Sequence, residues 1–326
     1  MAAWTLAALL LVLVLYVHLL PALFAGLLVY ELVHLASPAL SRRLSDHRAK
    51  LVVVALLAMV VVGVVTAITF ALIVFVQSDP DRPAVLLAQF AQVVLQAKAM
   101  LPDWAAELLP GSPEEVNATL ADWAKVHAAD LEIAGRETGR GFVYAILGMI
   151  VGAMLALQGE LERRPMGPLA RELAVRAANL ASAFRRVVFA QVRISLINTV
   201  FTGIYLAAIL PAFGINLPFK KTLIVMTFVT GLIPVLGNLI SNTFIVIVSL
   251  SHSFGVAVAS LGFLVVIHKL EYFLNAKIIG TQIKARAWEL LVAILLMEAV
   301  FGVGGVIAAP VYYCLLKDEL SERGLI

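Results

Sequence analysis

Apolar runs long enough to cross a lipid bilayer recur along this chain and limit its fold more than any other feature. A transmembrane helix needs about 20 mostly apolar residues, and a chain in lipid must satisfy its own backbone polar groups. Of the 326 residues, 62% are hydrophobic and 14% are charged, whereas soluble chains have about 45–50% apolar and about 25% charged residues. We therefore predict an all-α polytopic membrane protein.

The order of apolar and polar stretches divides the chain into six predicted parts. They are N-terminal transmembrane helices (1–77), an acidic helical extracytoplasmic region (78–141), a transmembrane helix (142–157), a basic amphipathic cytoplasmic helix (158–193), a C-terminal transmembrane bundle (194–316) and a cytoplasmic tail (317–326).

Charge placement predicts the sides of the membrane. Residues 78–141 carry ten acidic and five basic side chains, whereas residues 158–193 carry seven arginines and three glutamates. Basic loops are retained on the cytoplasmic side, so the basic helix and both termini are predicted to be cytoplasmic. The basic stretch 275–287 is also predicted to be cytoplasmic, and this requires one apolar segment before it to enter and return. We expect broken or re-entrant segments near 231–242 and 298–310.

The first of these segments carries most of the predicted site. Pro234 and Gly237 favour a break in the helix, and Asn238 and Asn242 share a face of any helix that follows. Broken helices commonly form binding sites in transporters. These four residues are candidates for a substrate pathway, although the asparagines could instead join neighbouring helices.

Ionisable side chains inside membrane segments are the other candidates for function, since their insertion is costly. Glu298 lies in a long apolar stretch, and Glu271 lies near the end of another. Glu298 is a further candidate for the pathway, and both glutamates are candidates for ion coupling. A glutamate that only bonds at a helix contact is the alternative.

Motifs for catalysis or nucleotide binding are absent from the sequence, and a single cysteine, Cys314, excludes an intramolecular disulfide and a Cys-based metal cluster. We expect no enzyme activity, no cofactor, no metal and no nucleic-acid partner.

Four stretches in order resemble the autoinducer-2 exporter family of bacterial membrane proteins. They are FAQVRISLINTVFTGIYL, GINLPFKKTLIVMTFVTGLIPVLGN, KLEYFLNAKIIG and FGVGGVIAAPVYY. The resemblance implies about eight membrane segments, cytoplasmic termini in the bacterial inner membrane, and a homo-oligomer for which a pentamer is one candidate. The chain departs from the family at Tyr272, Ala276 and Glu298.

Three functions remain open at this point. The first is a secondary transporter or exporter of a small polar solute, similar to autoinducer-2 by resemblance. The second is a sodium (cation)/proton antiporter that uses Glu271 and Glu298. The third is a membrane scaffold without transport. The expected partners are a small polar solute or a cation, membrane lipid, and further copies of the chain.

Overall fold

The computed structural model describes residues 2–41, 45–78, 82–101, 103–107, 109–158, 167–233, 236–278 and 286–325, and their regular structure is helical. The helices are α1 (Ala2–Tyr16), α2 (Leu20–Ser41), α3 (Asp46–Ser78), α4 (Arg82–Ala99), α5 (Asp103–Ala106), α6 (Pro113–Val126), α7 (Ala128–Gln158), α8 (Pro168–Ile204), a π-helical turn (Tyr205–Ile209), α9 (Leu210–Ala212), α10 (Lys220–Gly231), α11 (Leu236–His252), α12 (Phe254–Ile278) and α13 (Ala287–Glu322).

Five helices among the described residues are long and apolar enough to cross a membrane. They are Leu20–Ser41, His47–Thr66, Ala128–Gln158, Pro168–Ala212 and Trp288–Glu322, and two shorter apolar helices cover Ala2–Tyr16 and Phe254–Leu270. These helices confirm the all-α polytopic membrane class.

Two predicted boundaries fall inside continuous helices. The acidic region was predicted to end at 141, but α7 runs unbroken from Ala128 to Gln158. The basic helix was predicted to end at 193, but α8 continues to Ile204. A change from charged to apolar residues alters the surroundings of a helix without removing its backbone hydrogen bonds, so the predicted membrane boundaries at 141 and 193 do not coincide with helix ends and stay predictions.

The helices form two compact units. Unit 1 contains Met1–Ile73, Ile133–Phe189 and Ile283–Ile326, and unit 2 contains Val74–Glu132 and Ala190–Gln282. Each unit is described separately below.

In unit 1, α13 folds back on itself at Gly302. The backbone of Gly302 has φ 60° and ψ −143°, far from helical values. The hydroxyl of Tyr313 donates to Glu289 at 2.8 Å, and the Lys317 ammonium lies 2.6 Å from the same carboxylate. These contacts join residues 24 and 28 positions apart, so α13 is a hairpin of two helical arms.

Small residues bring α2 and α7 into backbone contact in the same unit. A Cβ atom on Gly148 would lie 2.0 Å from the carbonyl oxygen of Ala22, and one on Gly152 would lie 2.1 Å from that of Gly26. Both helices thus place small residues four positions apart, the spacing that permits close helix packing in membranes.

Ion pairs join the basic part of α8 to its neighbours in unit 1. Arg186 pairs with Asp318, and Arg176 pairs with Glu319, whose carboxylate also accepts a 2.8 Å hydrogen bond from Asn179. These pairs neutralise two arginines that the sequence alone leaves free for anionic lipid or another subunit.

In unit 2, buried hydroxyl groups fix α11 against α12. The Ser260 hydroxyl lies 2.7 Å from that of Ser249 and 2.9 Å from that of Tyr205, at the start of the π-helical turn. The Tyr205 ring stacks on Phe263 with centroids 4.0 Å apart. These hydrogen bonds join α12 to α11, the helix on which the candidate asparagines lie.

Candidate functional site

The predicted site residues fall at several places. Gly237, Asn238 and Asn242 lie in the first two turns of α11. Pro234 lies outside the described residues, and so does the side chain of Glu271, although its backbone belongs to α12. Glu298 lies in the first arm of α13, in unit 1.

The end of α10 explains why α8 carries polar residues at this depth. The last four carbonyls of a helix have no partner within it. Those of Val229 and Thr230 accept from the N–H groups of Leu232 and Ile233. The remaining two need donors from elsewhere, because unpaired backbone groups are costly in lipid.

Two side chains of α8 supply those donors. Ser195 Oγ donates to the carbonyl of Phe228 at 2.7 Å, and Gln191 Nε2 donates to that of Gly231 at 2.7 Å. Gly231 permits this approach, because a Cβ atom there would lie 2.7 Å from Ser195 Oγ. The helix break is therefore completed by hydrogen bonds from α8, and these two residues have a structural role.

Gly237 closes the turn between α10 and α11. It is buried, and a Cβ atom on it would lie 1.9 Å from the carbonyl oxygen of Thr230. Its backbone therefore packs directly against the end of α10, and α10 and α11 form a second hairpin. This contact gives Gly237 a packing role.

Asn238 is joined to α8 by a hydrogen bond. Asn198 Nδ2 donates to Asn238 Oδ1 at 3.1 Å, and Asn198 is 6% exposed. This bond joins an amide side chain of α8 to one of α11.

The direction of the helices sets what lies next to this pair. Gln191 and Ser195 contact successively earlier residues of α10, so α8 and α10 are antiparallel. Because α11 turns back from α10 at Gly237, α11 runs in the same direction as α8. One helical turn beyond Asn198 and Asn238, Thr202 and Asn242 therefore follow on the two helices.

Both of these next residues have unused hydrogen-bonding groups. Thr202 is 1% exposed, and its hydroxyl has no hydrogen-bond partner among the described residues. Asn242 is half-buried, and its amide forms no side-chain hydrogen bond with the described part of the chain. A buried hydroxyl without a partner costs free energy, so a polar group that reached Thr202 would supply a hydrogen bond that the described residues do not.

Glu298 has different surroundings. Its side chain is exposed and forms no ion pair or hydrogen bond with residues of the described ranges. Its neighbours Leu295, Leu296 and Val300 are 64–71% exposed. Glu298 is thus a carboxyl group on an apolar surface of the first arm.

The sequence analysis missed the polar face of α8, which we define as Gln191, Ser195, Asn198 and Thr202. Its signal is readable, because these residues are spaced by four, three and four within an apolar stretch, as one face of a helix requires. The partners of Gln191, Ser195 and Asn198 lie 33 to 40 residues away, and no local pattern reveals those contacts.

Comparisons with known proteins bear on the class of function. The family model described as AI-2E family transporter matches residues 1–322. The Bacillus subtilis (strain 168) protein named "Putative transport protein YdbI" is 30% identical over 152 residues, which cover 46% of this chain and 42% of that protein. The match thus spans less than half of the relative's length. No solved structure matches the chain significantly.

Proposed function

The chain belongs to the AI-2E family of transporters, and we propose that it is a secondary transporter that exports a small polar solute, similar to autoinducer-2, across the bacterial inner membrane. The membrane and transport class follow from the family. The identity of the solute, the direction of transport and the location in the bacterial inner membrane are parts of the proposal.

The observation that carries the proposal is the hydroxyl of Thr202, which has no hydrogen-bond partner among the described residues. It is buried one helical turn beyond the bonded pair Asn198 and Asn238, level with Asn242, whose amide forms no side-chain hydrogen bond in the described ranges. The residues of this level are neutral, and amide and hydroxyl groups both donate and accept hydrogen bonds. They suit an uncharged solute that carries several hydroxyl or carbonyl groups.

Cation/proton exchange is the second candidate, and Glu298 is the observation that favours it. A carboxyl group on an apolar membrane surface is costly, and Glu298 has no compensating partner among the described residues. It could take up a proton in exchange for a cation. The role of Glu271 in ion coupling stays a prediction.

Flux through purified protein in liposomes tests the proposal. Liposomes loaded with a tritiated hydroxylated furanone should lose the label faster than protein-free liposomes. Uptake of sodium-22 driven by an outward proton gradient is measured in parallel. Furanone flux without sodium flux supports the proposal, and sodium flux without furanone flux supports the second candidate. Neither flux would favour a scaffold and contradict both.

The topology is tested by labelling single cysteines. We propose that both termini and the basic part of α8 are cytoplasmic, with α6 outside. In a Cys314→Ala background, Ala124→Cys on α6 should react with an impermeant maleimide in intact cells. Ala170→Cys on α8 should react only after the cells are opened. Both positions are exposed. Labelling of both cysteines in intact cells would refute this topology.

Assembly belongs to the proposal as well. We expect a homo-oligomer, for which a pentamer is the candidate implied by the resemblance, in contact with membrane lipid. The many large apolar side chains exposed on α1, α3 and α7 are consistent with lipid or subunit contacts.

A further inference from the structure

Unit 1 contains a cavity of about 590 Å³ that the proposed transport site does not use. It lies between α1, α2, α7 and α8 and falls in the size range of small-ligand sites, about 300–1,000 Å³. Its width comes from small side chains, since α8 contributes only alanines, among them Ala174, Ala178 and Ala181. The small residues of the backbone contact between α2 and α7 also line the cavity.

The lining of the cavity determines what kind of molecule fits. Among the lining residues, Tyr30 alone carries a polar side-chain group, and the others are aliphatic residues, alanine or glycine. A polar solute would lose its hydrogen bonds to water there without replacement. The part of the ligand inside the cavity must therefore be a hydrocarbon.

An arginine lies beyond each end of the α8 segment that lines the cavity. Arg171 precedes Ala174 by three residues and Arg185 follows Ala181 by four, so both arginines lie on the face of α8 that lines the cavity. Arg185 is 49% exposed and lies 3.5 Å from Glu31. Arg171 is exposed, and its guanidinium forms no ion pair with the described residues.

Other arginines of α8 differ from Arg171 in their ion pairs. Arg176 and Arg186 are held by Glu319 and Asp318 of α13, whereas no acidic residue of the described ranges pairs with Arg171. A guanidinium that the described residues leave unpaired, next to a hydrocarbon-lined cavity, complements an amphiphile with an apolar chain and an anionic head. Guanidinium groups bind phosphate oxygens through two parallel hydrogen bonds.

We propose that the cavity holds an acyl chain of an anionic phospholipid whose phosphate is bound by Arg171. The proposal is independent of the transported solute, because it concerns unit 1 alone. A phospholipid explains both the apolar interior and the charge at its rim, whereas a second copy of this chain would need no anionic group at Arg171.

Lipid binding to the purified, delipidated full-length protein tests this proposal. Phosphatidylglycerol and phosphatidylcholine with the same acyl chains are added back, and bound lipid is counted by native mass spectrometry. We expect phosphatidylglycerol to be preferred by roughly fivefold, which corresponds to about 1 kcal/mol for one arginine near anionic lipid. Equal binding of the two lipids by the wild-type protein would overturn the proposal.

Two variants, each with a control, distinguish binding of the acyl chain from binding of the lipid head group. Ala178→Phe should fill the cavity and lower the binding of both lipids, whereas Val175→Phe, at an exposed position outside the lining, should not. Arg171→Gln should abolish the preference for phosphatidylglycerol, and Arg140→Gln should keep it. A preference that survives Arg171→Gln would refute the role of that arginine.

Melting temperature and oligomer mass are measured on each variant. If Ala178→Phe reduces the oligomer mass and leaves lipid binding unchanged, a second copy occupies the cavity, and the lipid proposal is wrong. If Ala178→Phe does not fold, the exposed Arg171→Gln substitution still decides the outcome.

Discussion

Alanine at Gly305 is expected to destabilise the α13 hairpin strongly, whereas alanine at Gly304, one residue earlier, should be tolerated. A Cβ atom on Gly305 would lie 1.9 Å from the carbonyl oxygen of Met297, on the opposite arm. A backbone atom cannot move away by changing rotamer, so the arms must separate. Overpacking costs about 1–3 kcal/mol and occasionally more, and we expect the upper part of that range.

Gly304 is the matched control for this prediction. A Cβ atom there would have no other atom within 4 Å. Replacement of glycine by alanine at a compatible position stabilises by about 0.4–1 kcal/mol, because the unfolded chain loses freedom. Gly304→Ala should therefore leave the melting temperature unchanged or raise it.

Gly302 should be intolerant for a different reason. A Cβ atom on it would also meet no other atom within 4 Å, but its φ is +60°. Residues with a side chain rarely adopt this backbone conformation, and such strain costs about 1–3 kcal/mol. The three alanine variants should therefore rank, from most to least stable, Gly304→Ala, then Gly302→Ala and Gly305→Ala.

Thermal unfolding of purified variants in one detergent measures this order. Wild-type stability of Gly305→Ala would show that the two arms are not in backbone contact. Equal destabilisation of Gly304→Ala and Gly305→Ala would show that this stretch tolerates no added volume, whatever the direction of the side chain. Either result would contradict the hairpin geometry.

The helical membrane class could be read from the sequence because it depends on local composition and on the length of apolar runs. The polar contacts of the site depend on distant residues. Glycines illustrate the difference: Gly304 and Gly305 are adjacent and identical in sequence, but only Gly305 lies against a backbone. Helix-breaking residues can indicate a turn without indicating which glycine occupies the contact.

The polar residues of α8 also differ in role because of contacts with residues distant in the sequence. Ser195 and Thr202 are both buried hydroxyl residues of one helix face. The first completes the end of α10, and the second has no partner among the described residues. Only the position of the α10 carbonyls separates these roles. The sequence located the asparagines of α11 but could not identify their neighbours on α8.

Thr202→Val is expected to reduce transport without reducing stability, which is the clearest expected result for the proposed site. Valine keeps the shape of threonine and removes a buried hydroxyl for which the described residues supply no partner, so the folded state should be unchanged or more stable. If that hydroxyl binds the solute, transport should fall by roughly tenfold, the equivalent of a lost hydrogen bond of about 1–1.5 kcal/mol.

The asparagines of α11 should follow the same rule in different degrees. Asn242→Leu removes an amide without a partner in the described ranges, so transport should fall while stability is kept. Asn238→Leu also breaks the bond from Asn198, and interhelical hydrogen bonds in membranes average about 0.6 kcal/mol. We therefore expect a small loss of stability in addition to the loss of flux.

Ser195→Ala provides the matched control, because it removes a hydroxyl of the same helix face that bonds the protein itself. The carbonyl of Phe228 would lose its donor, and an unsatisfied buried group costs about 1–3 kcal/mol. Stability should fall here even if the remaining folded protein transports normally. Loss of the labelled furanone from loaded liposomes and melting temperature are measured for all four variants. Normal flux in Thr202→Val and Asn242→Leu together would show that this level of unit 2 only packs, and that the solute passes elsewhere.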